Sequence, residues 1–201
     1  MTCATQDLEI QQGKTFSRIL RWETTPLIYK AITAITKASP VAITAVAHNL
    51  PDGWRAAVVA AGGMRQINAK TVPPRSTDFH QATVTGADTL TFNEVSSAAY
   101  TTYTSGGSLV YYTPVTLAAY TARMHIRRAV ESATSLLALT TENGRITIDD
   151  TAKTITLLIA ATDTDDLSFT TAVYDLEMVS SGGVVTQLLK GDVTLVTEVT
   201  R

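Results

Sequence analysis

Tyr120-Thr121-Ala122-Arg123-Met124-His125-Ile126-Arg127 is the stretch of sequence that decides the fold. Apolar and polar residues alternate along it, which is the period of a β-strand with one face in a core and the other in water. Met124 falls on the apolar face, so we expect it in the core and not at a ligand site. The same period recurs in residues 155–159 and 174–178. The last third of the chain therefore predicts several short strands.

Turn residues between these strands predict how they connect. Asn143-Gly144 favours a tight hairpin, because both residues tolerate positive φ, and residues 180–183 (Ser-Ser-Gly-Gly) predict a second one. Residues 185–189 and 193–199 are predicted as two closing strands, the second of them a sheet edge open to a partner strand. Residues 162–167, rich in Asp and Thr, predict one helical turn with a side-chain N-cap. The prediction is an antiparallel sandwich.

The rest of the chain has the same period with different interruptions. In residues 31–113 the strands are broken by Gly62-Gly63 and by the Pro73-Pro74 loop, which cannot lie inside a sheet. We expect a compact barrel or half-sandwich there. Residues 7–23 outline a single hairpin, and a lone hairpin is too small to build a core. We therefore expect it to pair with the sandwich at the other end of the chain.

Composition excludes several functional classes. The 201 residues are 45% hydrophobic, and 16 basic and 18 acidic residues are spread without blocks to give a net charge of −2. Nucleic-acid and membrane-surface binders need a concentrated basic field, so neither class is expected. No run approaches the roughly 20 apolar residues of a membrane span, and the charged residues 1–14 do not predict a secretory signal. Cys3 is the only cysteine, so we expect no internal disulfide and no cysteine-based zinc site.

Catalytic and metal-binding constellations are weak. The three histidines are scattered, and His48 is predicted to cap the turn that follows it. The acidic run 163–166 has the alternating carboxylates of a calcium loop. It lacks the glycine turn and distal Glu of an EF-hand, so helix capping is the favoured alternative. We predict no enzymatic activity, no cofactor and no metal.

Aromatic residues are the best candidates for contact with a partner. Tyr100, Tyr103, Tyr111 and Tyr112 cluster around a Gly/Ser-rich segment, and Trp54 opens a strand. Tyr111 and Tyr112 are adjacent, so only one of them can face inward. An exposed aromatic ring serves equally as a protein-interface anchor or as a platform for a glycan.

Two sets of motifs resemble phage proteins. Residues 8–16 (LEIQQGKTF), the strand 120–127 and residues 174–177 (YDLE) resemble the immunoglobulin-like N-terminal domain of phage baseplate upper proteins. In that family the opening segment and the strand lie close in sequence, whereas here roughly 90 residues intervene. Residues 32–38, 48–53 and 63–68 of this intervening segment resemble a phage module related to the first catalytic-cysteine half-domain of ubiquitin-activating enzymes. The segment has no cysteine, so no thioester chemistry is implied.

Together these resemblances imply an all-β protein with a nested architecture. Residues 1–29 and 114–201 would form a discontinuous immunoglobulin-like antiparallel β-sandwich, and residues 30–113 a small inserted β-barrel or β-sandwich module. The implied function is a structural component of a phage virion tail, assembled in the host cytoplasm. It would act as a tail-tip or baseplate adaptor that docks other tail proteins or fibres, as a homo-oligomeric ring or trimer. The alternative is a host-surface glycan-binding module of the tail.

Overall fold

The protein is built almost entirely of β-strands. The structure is a computed structural model that describes residues 3–198. The strands, in chain order, are β1 Ala4–Thr5, β2 Leu8–Gln11, β3 Phe16–Leu20, β4 Glu23–Ala31, β5 Ala34–Ile35, β6 Val41–Thr44, β7 Arg55–Val59, β8 His80–Gly86, β9 Thr89–Phe92, β10 Ser108–Pro114, β11 Thr121–Arg127, β12 Leu137–Thr140, β13 Ile146–Asp149, β14 Thr154–Ile159, β15 Thr171–Val179 and β16 Val185–Val196. Helix α1 is Ala161–Asp165, and short 3-10 turns lie at Arg65–Ile67 and Ser76–Asp78. The all-β prediction is confirmed.

The chain divides into two compact units, one nested in the sequence of the other. The discontinuous unit comprises Met1–Trp22 and Thr116–Arg201, and the inserted unit is Glu23–Val115. The inserted unit begins earlier than the predicted residue 30 because β4, which starts at Glu23, pairs with β10 along its length. Within the discontinuous unit, the ring of Trp22 packs edge-on against that of Tyr120, with centroids 5.7 Å apart. The two chain segments that flank the insertion are therefore close together.

The discontinuous unit is a sandwich of two sheets. The larger sheet has the order β1-β16-β15-β11-β12, with β2 also paired to β16, and the smaller has the order β13-β14-β3. The strands β1 and β2 run parallel to β16, and the other pairs are antiparallel. In the lettering of immunoglobulin domains, β3, β14 and β13 stand where strands B, E and D do, and β11, β15 and β16 where C, F and G do. The two sheets confirm the predicted β-sandwich, and this strand order is the one expected of an immunoglobulin-like domain with an insertion between strands B and C.

Alternation along the strands builds the sandwich core. On β11 the side chains of Ala122, Met124 and Ile126 are buried, as the alternating pattern predicts. On β14 Ile155, Leu157 and Ile159 are buried in the same way, whereas Leu158 between them is 43% exposed. Each of these buried Met, Ile and Leu side chains contributes roughly 1.5–3 kcal/mol.

Two predicted hairpins of this unit are wrong. Asn143-Gly144 connects β12 of the larger sheet to β13 of the smaller one, so the strands on either side of it do not pair. Only Gly144 has a positive φ; the side-chain Oδ1 of Asn143 instead accepts hydrogen bonds from the N–H groups of Thr140 and Arg145. Residues 7–23 likewise form no hairpin: β2 joins β16 and β3 joins β14, in different sheets. Their expected pairing with the C-terminal sandwich is confirmed.

The last strand also differs from the prediction. Residues 185–196 form one continuous strand, β16, while Val199 lies outside the described residues. Val193 is paired on both sides, to Leu8 in parallel and to Ala172 in antiparallel, so this stretch is not an open edge. A Cβ at Gly191 would lie 2.3 Å from the carbonyl oxygen of Gln6, which explains the glycine at the close approach between the chain ends.

Two local predictions in the same region are confirmed. Residues 180–183 make the tight turn between β15 and β16, closed by hydrogen bonds between Ser180 and Val184. The predicted helical turn is α1. The predicted side-chain N-cap is wrong, because the N-cap residue is Ala160, whose side chain has no acceptor. Asp163, in the first turn, instead pairs with Arg145 at 2.6 Å.

The inserted unit is a small barrel. Its strands follow the order β4-β10-β7-β8-β9-β6-β5, and every pair is antiparallel. The two ends of this order, β4 and β5, are consecutive segments of the chain. Between them the N–H of Ile32 bonds to the carbonyl of Gly107, and the N–H of Thr33 bonds to that of Thr44. The sheet therefore curls onto itself around a core that includes Trp54, Phe92 and Tyr111.

We expect the discontinuous unit to fold without the insert. A variant that joins Trp22 to Thr116 by a linker of about six Gly and Ser residues retains both sheets of the sandwich. Thermal unfolding followed by circular dichroism should show a single cooperative transition. A broad transition with binding of a hydrophobic dye in native buffer would contradict the prediction.

Adjacent leucines on β14 test the predicted faces of the sandwich. Leu157→Ala should lower the free energy of unfolding by about 2–5 kcal/mol, because it leaves a cavity in the core. Leu158→Ala, the matched control, should lower it by less than about 1 kcal/mol. Chemical denaturation of both variants measures the difference, and equal losses would show that the assigned faces are wrong.

Candidate functional site

Two of the five predicted partner-binding residues lie inside the barrel. Trp54 and Tyr111 are 0% and 1% exposed. The indole N–H of Trp54 donates to the carbonyl of Tyr112, at 3.1 Å, and the hydroxyl of Tyr111 donates to the carbonyl of His48. Burial raises the pKa of the Tyr111 hydroxyl above its usual value. Both rings are therefore enclosed by the barrel, and neither Trp54 nor Tyr111 is a surface anchor.

Tyr103 and Tyr100 are half-buried and pack against the barrel core. The hydroxyl of Tyr103 lies 3.0 Å from the carbonyl oxygens of both Ile32 and Gly106, where it ties together the segments that close the barrel. Tyr100 lines a polar cleft of about 300 Å³ that also includes His80. Tyr103 therefore has a structural role, whereas Tyr100 lines a surface recess.

Tyr112 is the predicted anchor that lies on the outer face of the barrel. Its ring packs on that of Phe79, with centroids 5.3 Å apart and planes inclined by 31°. The guanidinium of Arg55 lies 5.4 Å from each ring centroid, and it forms an ion pair with Glu23. We call Glu23, Arg55, Phe79 and Tyr112 the Arg55 cluster.

The Arg55 cluster is a preformed surface feature. Four different segments of the barrel contribute to it, and the Arg55 side chain remains 44% exposed. A guanidinium over an exposed aromatic ring contributes about 0.5–1 kcal/mol, so two rings and a carboxylate hold Arg55 in one position. Tyr29, 48% exposed, lies on the same face, because it is two residues from Leu27, the cross-strand partner of Tyr112. Together they present aromatic and cationic surface to solvent.

A second surface feature is a groove of about 620 Å³ on the outer face of the larger sheet of the sandwich. Its floor is formed by cross-strand rows of residues on β11, β15 and β16, and all members of these rows except Val173 are polar. One row contains Arg123, Glu177 and Gln187, the next His125, Asp175 and Lys190, and the third Arg127, Val173 and Asp192.

Tyr174 lies beneath this floor and fixes its position. The ring is buried, and its hydroxyl donates a 2.6 Å hydrogen bond to the carbonyl of Gln6. Burial, with a smaller effect from the nearby charge of Asp7, raises the pKa of Tyr174 to about 12. The phenol therefore stays protonated and acts as a hydrogen-bond donor to the N-terminal segment.

The three histidines lie in separate places. The Nδ1 atom of His48 accepts the N–H of Leu50 at 2.9 Å, so the predicted turn cap is confirmed. His80 packs on Phe92, and His125 lies in the groove. Within residues 3–198 no group of three or more His, Cys, Asp or Glu side chains is arranged to hold a metal ion.

Comparisons with known protein families and with curated proteins found no significant match. The phage resemblance of the sequence motifs stays a hypothesis. In the described part of the chain, no helix is long and apolar enough to cross a bilayer.

The neighbouring tyrosines test the inward and outward assignments. Tyr111→Phe should lower the free energy of unfolding by about 1–3 kcal/mol, because it leaves the buried carbonyl of His48 without its donor. Tyr112→Phe should change it by no more than about 0.5 kcal/mol. Urea denaturation of the two variants measures both values, and the reverse order of losses would contradict the assignment.

Proposed function

We propose that the protein is a structural component of a phage tail, an adaptor in the tail tip or baseplate that docks other tail proteins or fibres. The Arg55 cluster, with Tyr29 beside it, is the observation that carries the proposal. Arg and Tyr are enriched among the few residues that dominate the energy of protein interfaces. The phage resemblance of the sequence supplies the context.

Preorganisation makes this cluster suited to docking. Ordering a flexible side chain at an interface costs about 0.5–1.5 kcal/mol. Arg55 is already held by Glu23 and by the two rings, so little of that cost remains when a partner binds. The same contact, repeated around a ring or trimer of identical chains, would multiply a modest affinity.

A host-surface glycan-binding module is the second candidate function. The groove on the sandwich favours it, because its volume is within the roughly 300–1,000 Å³ of small-ligand sites. The aromatic platform expected in the inserted unit does not support this function, since Trp54 and Tyr111 are buried.

Assembly of the phage that encodes the chain tests the first proposal. The double variant Tyr29→Ala and Arg55→Ala removes the two most exposed groups of the surface, and Leu158→Ala on the sandwich is the control. We expect at least a tenfold loss of the double variant from purified tails, which corresponds to about 1.4 kcal/mol of docking energy. Quantitative mass spectrometry of the particles measures the incorporation.

Two outcomes would reject the adaptor function through this surface. Normal incorporation with failed attachment to the host would favour the glycan-binding candidate. Normal incorporation with normal attachment would show that the Arg55 cluster docks nothing. Circular dichroism of the double variant checks that any loss is not caused by unfolding.

A further inference from the structure

The groove on the sandwich carries balanced charge. Its three permanently positive side chains are Arg123, Arg127 and Lys190, and its three acidic ones are Asp175, Glu177 and Asp192. The sum of three positive and three negative charges is zero. A polyanion or a polycation gains no net attraction from such a surface.

Part of this lining is fixed by contacts within the chain. The Nε of Arg123 bonds to Glu177 at 2.7 Å. The guanidinium of Arg127 donates to the carbonyls of Ser132 and Ala133, at 2.6 and 3.0 Å, and so holds the loop after β11. That loop carries Val130, which is 79% exposed and lines the groove. The groove thus has a rigid floor and an apolar wall.

Three polar side chains of the groove remain available to a ligand. His125, Lys190 and Asp192 make no side-chain hydrogen bond or ion pair with any residue of the range 3–198. Lys190 and Asp192 are two residues apart on β16, roughly 7 Å along the strand. A pure donor and a pure acceptor therefore stand side by side, and the imidazole of His125 lies in the same row as Lys190.

Hydroxyl groups match this pattern better than charged groups do. A hydroxyl donates one hydrogen bond and accepts two, so neighbouring hydroxyls can satisfy both Lys190 and Asp192. A ligand carboxylate or ammonium would pair with one of these residues and face like charge at the other. Exposed Val130 and half-buried Val173 offer apolar contact to the C–H groups of the same ligand.

We propose that this groove binds a short, neutral, hydroxyl-rich oligosaccharide. This inference gives the second candidate function a site and a class of ligand. It rests on that function only for its biological purpose, because the binding itself is a property of the isolated chain. His125, Lys190 and Asp192 supply the hydrogen bonds to the sugar, and Val130 and Val173 supply the apolar contact.

Titration of the full chain with defined sugars tests the proposal. The probes are maltohexaose, cellohexaose and tri-N-acetylchitotriose, each followed to millimolar concentration by NMR. Dextran sulfate and a peptide of alternating Lys and Glu residues serve as charged comparisons. We expect at least one neutral probe to shift resonances of β11, β15 and β16, and the charged ligands to leave them unchanged.

A matched pair of variants locates the site. Lys190→Met with Asp192→Asn should weaken the binding at least tenfold, because the ammonium donor is lost and the charged carboxylate acceptor becomes a weaker, neutral amide acceptor, with little change of shape. Lys37→Met with Glu94→Gln removes the same charges at exposed positions of the barrel and should leave the binding unchanged. Equal binding by the two variants would place the sugar outside the groove.

Several other outcomes would overturn the proposal. Binding of none of the neutral probes, a preference for dextran sulfate, or binding of the peptide alone would each reject a neutral sugar as the occupant.

If the groove variant loses the sugar but its virions attach normally, the groove assignment stands and the second candidate function fails. If purified tails lack the double variant Tyr29→Ala and Arg55→Ala while that variant still binds the sugar, the two proposals are independent.

Discussion

The pairing of the two ends of the chain is the constraint on which the rest of the structure depends. Residues 8–11 lie parallel to residues 193–196, and β3 completes the smaller sheet from the same N-terminal segment. Without these strands neither sheet of the sandwich has its full width. Because both ends belong to one sandwich, the 93 residues from 23 to 115 can be accommodated only as an insertion in a connection. That connection lies between strands B and C.

The sequence predicts strands and their faces well because alternation is a local property. Met124 and Ile155 lie in the core as the period of two requires. Pairing is not local: Asn143-Gly144 has the ideal composition for a hairpin, yet it joins two different sheets. The same turn chemistry satisfies both arrangements, and only the sandwich as a whole decides between them. The hairpin predicted for residues 7–23 fails in the same way, because β2 and β3 join different sheets.

The candidate sites also depend on strand pairing, which local sequence does not predict. Tyr111 and Tyr112 are adjacent on a strand, so only one of them can face inward. The register of β10 with its neighbours decides which one. The partners of Tyr112 in the Arg55 cluster come from positions 23, 55 and 79, which no spacing rule connects. The groove depends on the alignment of three strands across a bulge between Leu176 and Glu177. Neither surface has a signature in the linear sequence.

The nested order of the two units also has a kinetic consequence. The inserted barrel is contiguous in sequence, so all of its strands are available once residue 115 has left the ribosome. The sandwich must wait for β16, whose Val193 is 193 − 8 = 185 residues from its partner Leu8. Contacts of such long separation form slowly, since the intervening chain must be ordered or looped first. A barrel that folds early holds Glu23 and Val115 as the ends of one compact body, which shortens the effective loop and lets synthesis itself impose the order of folding.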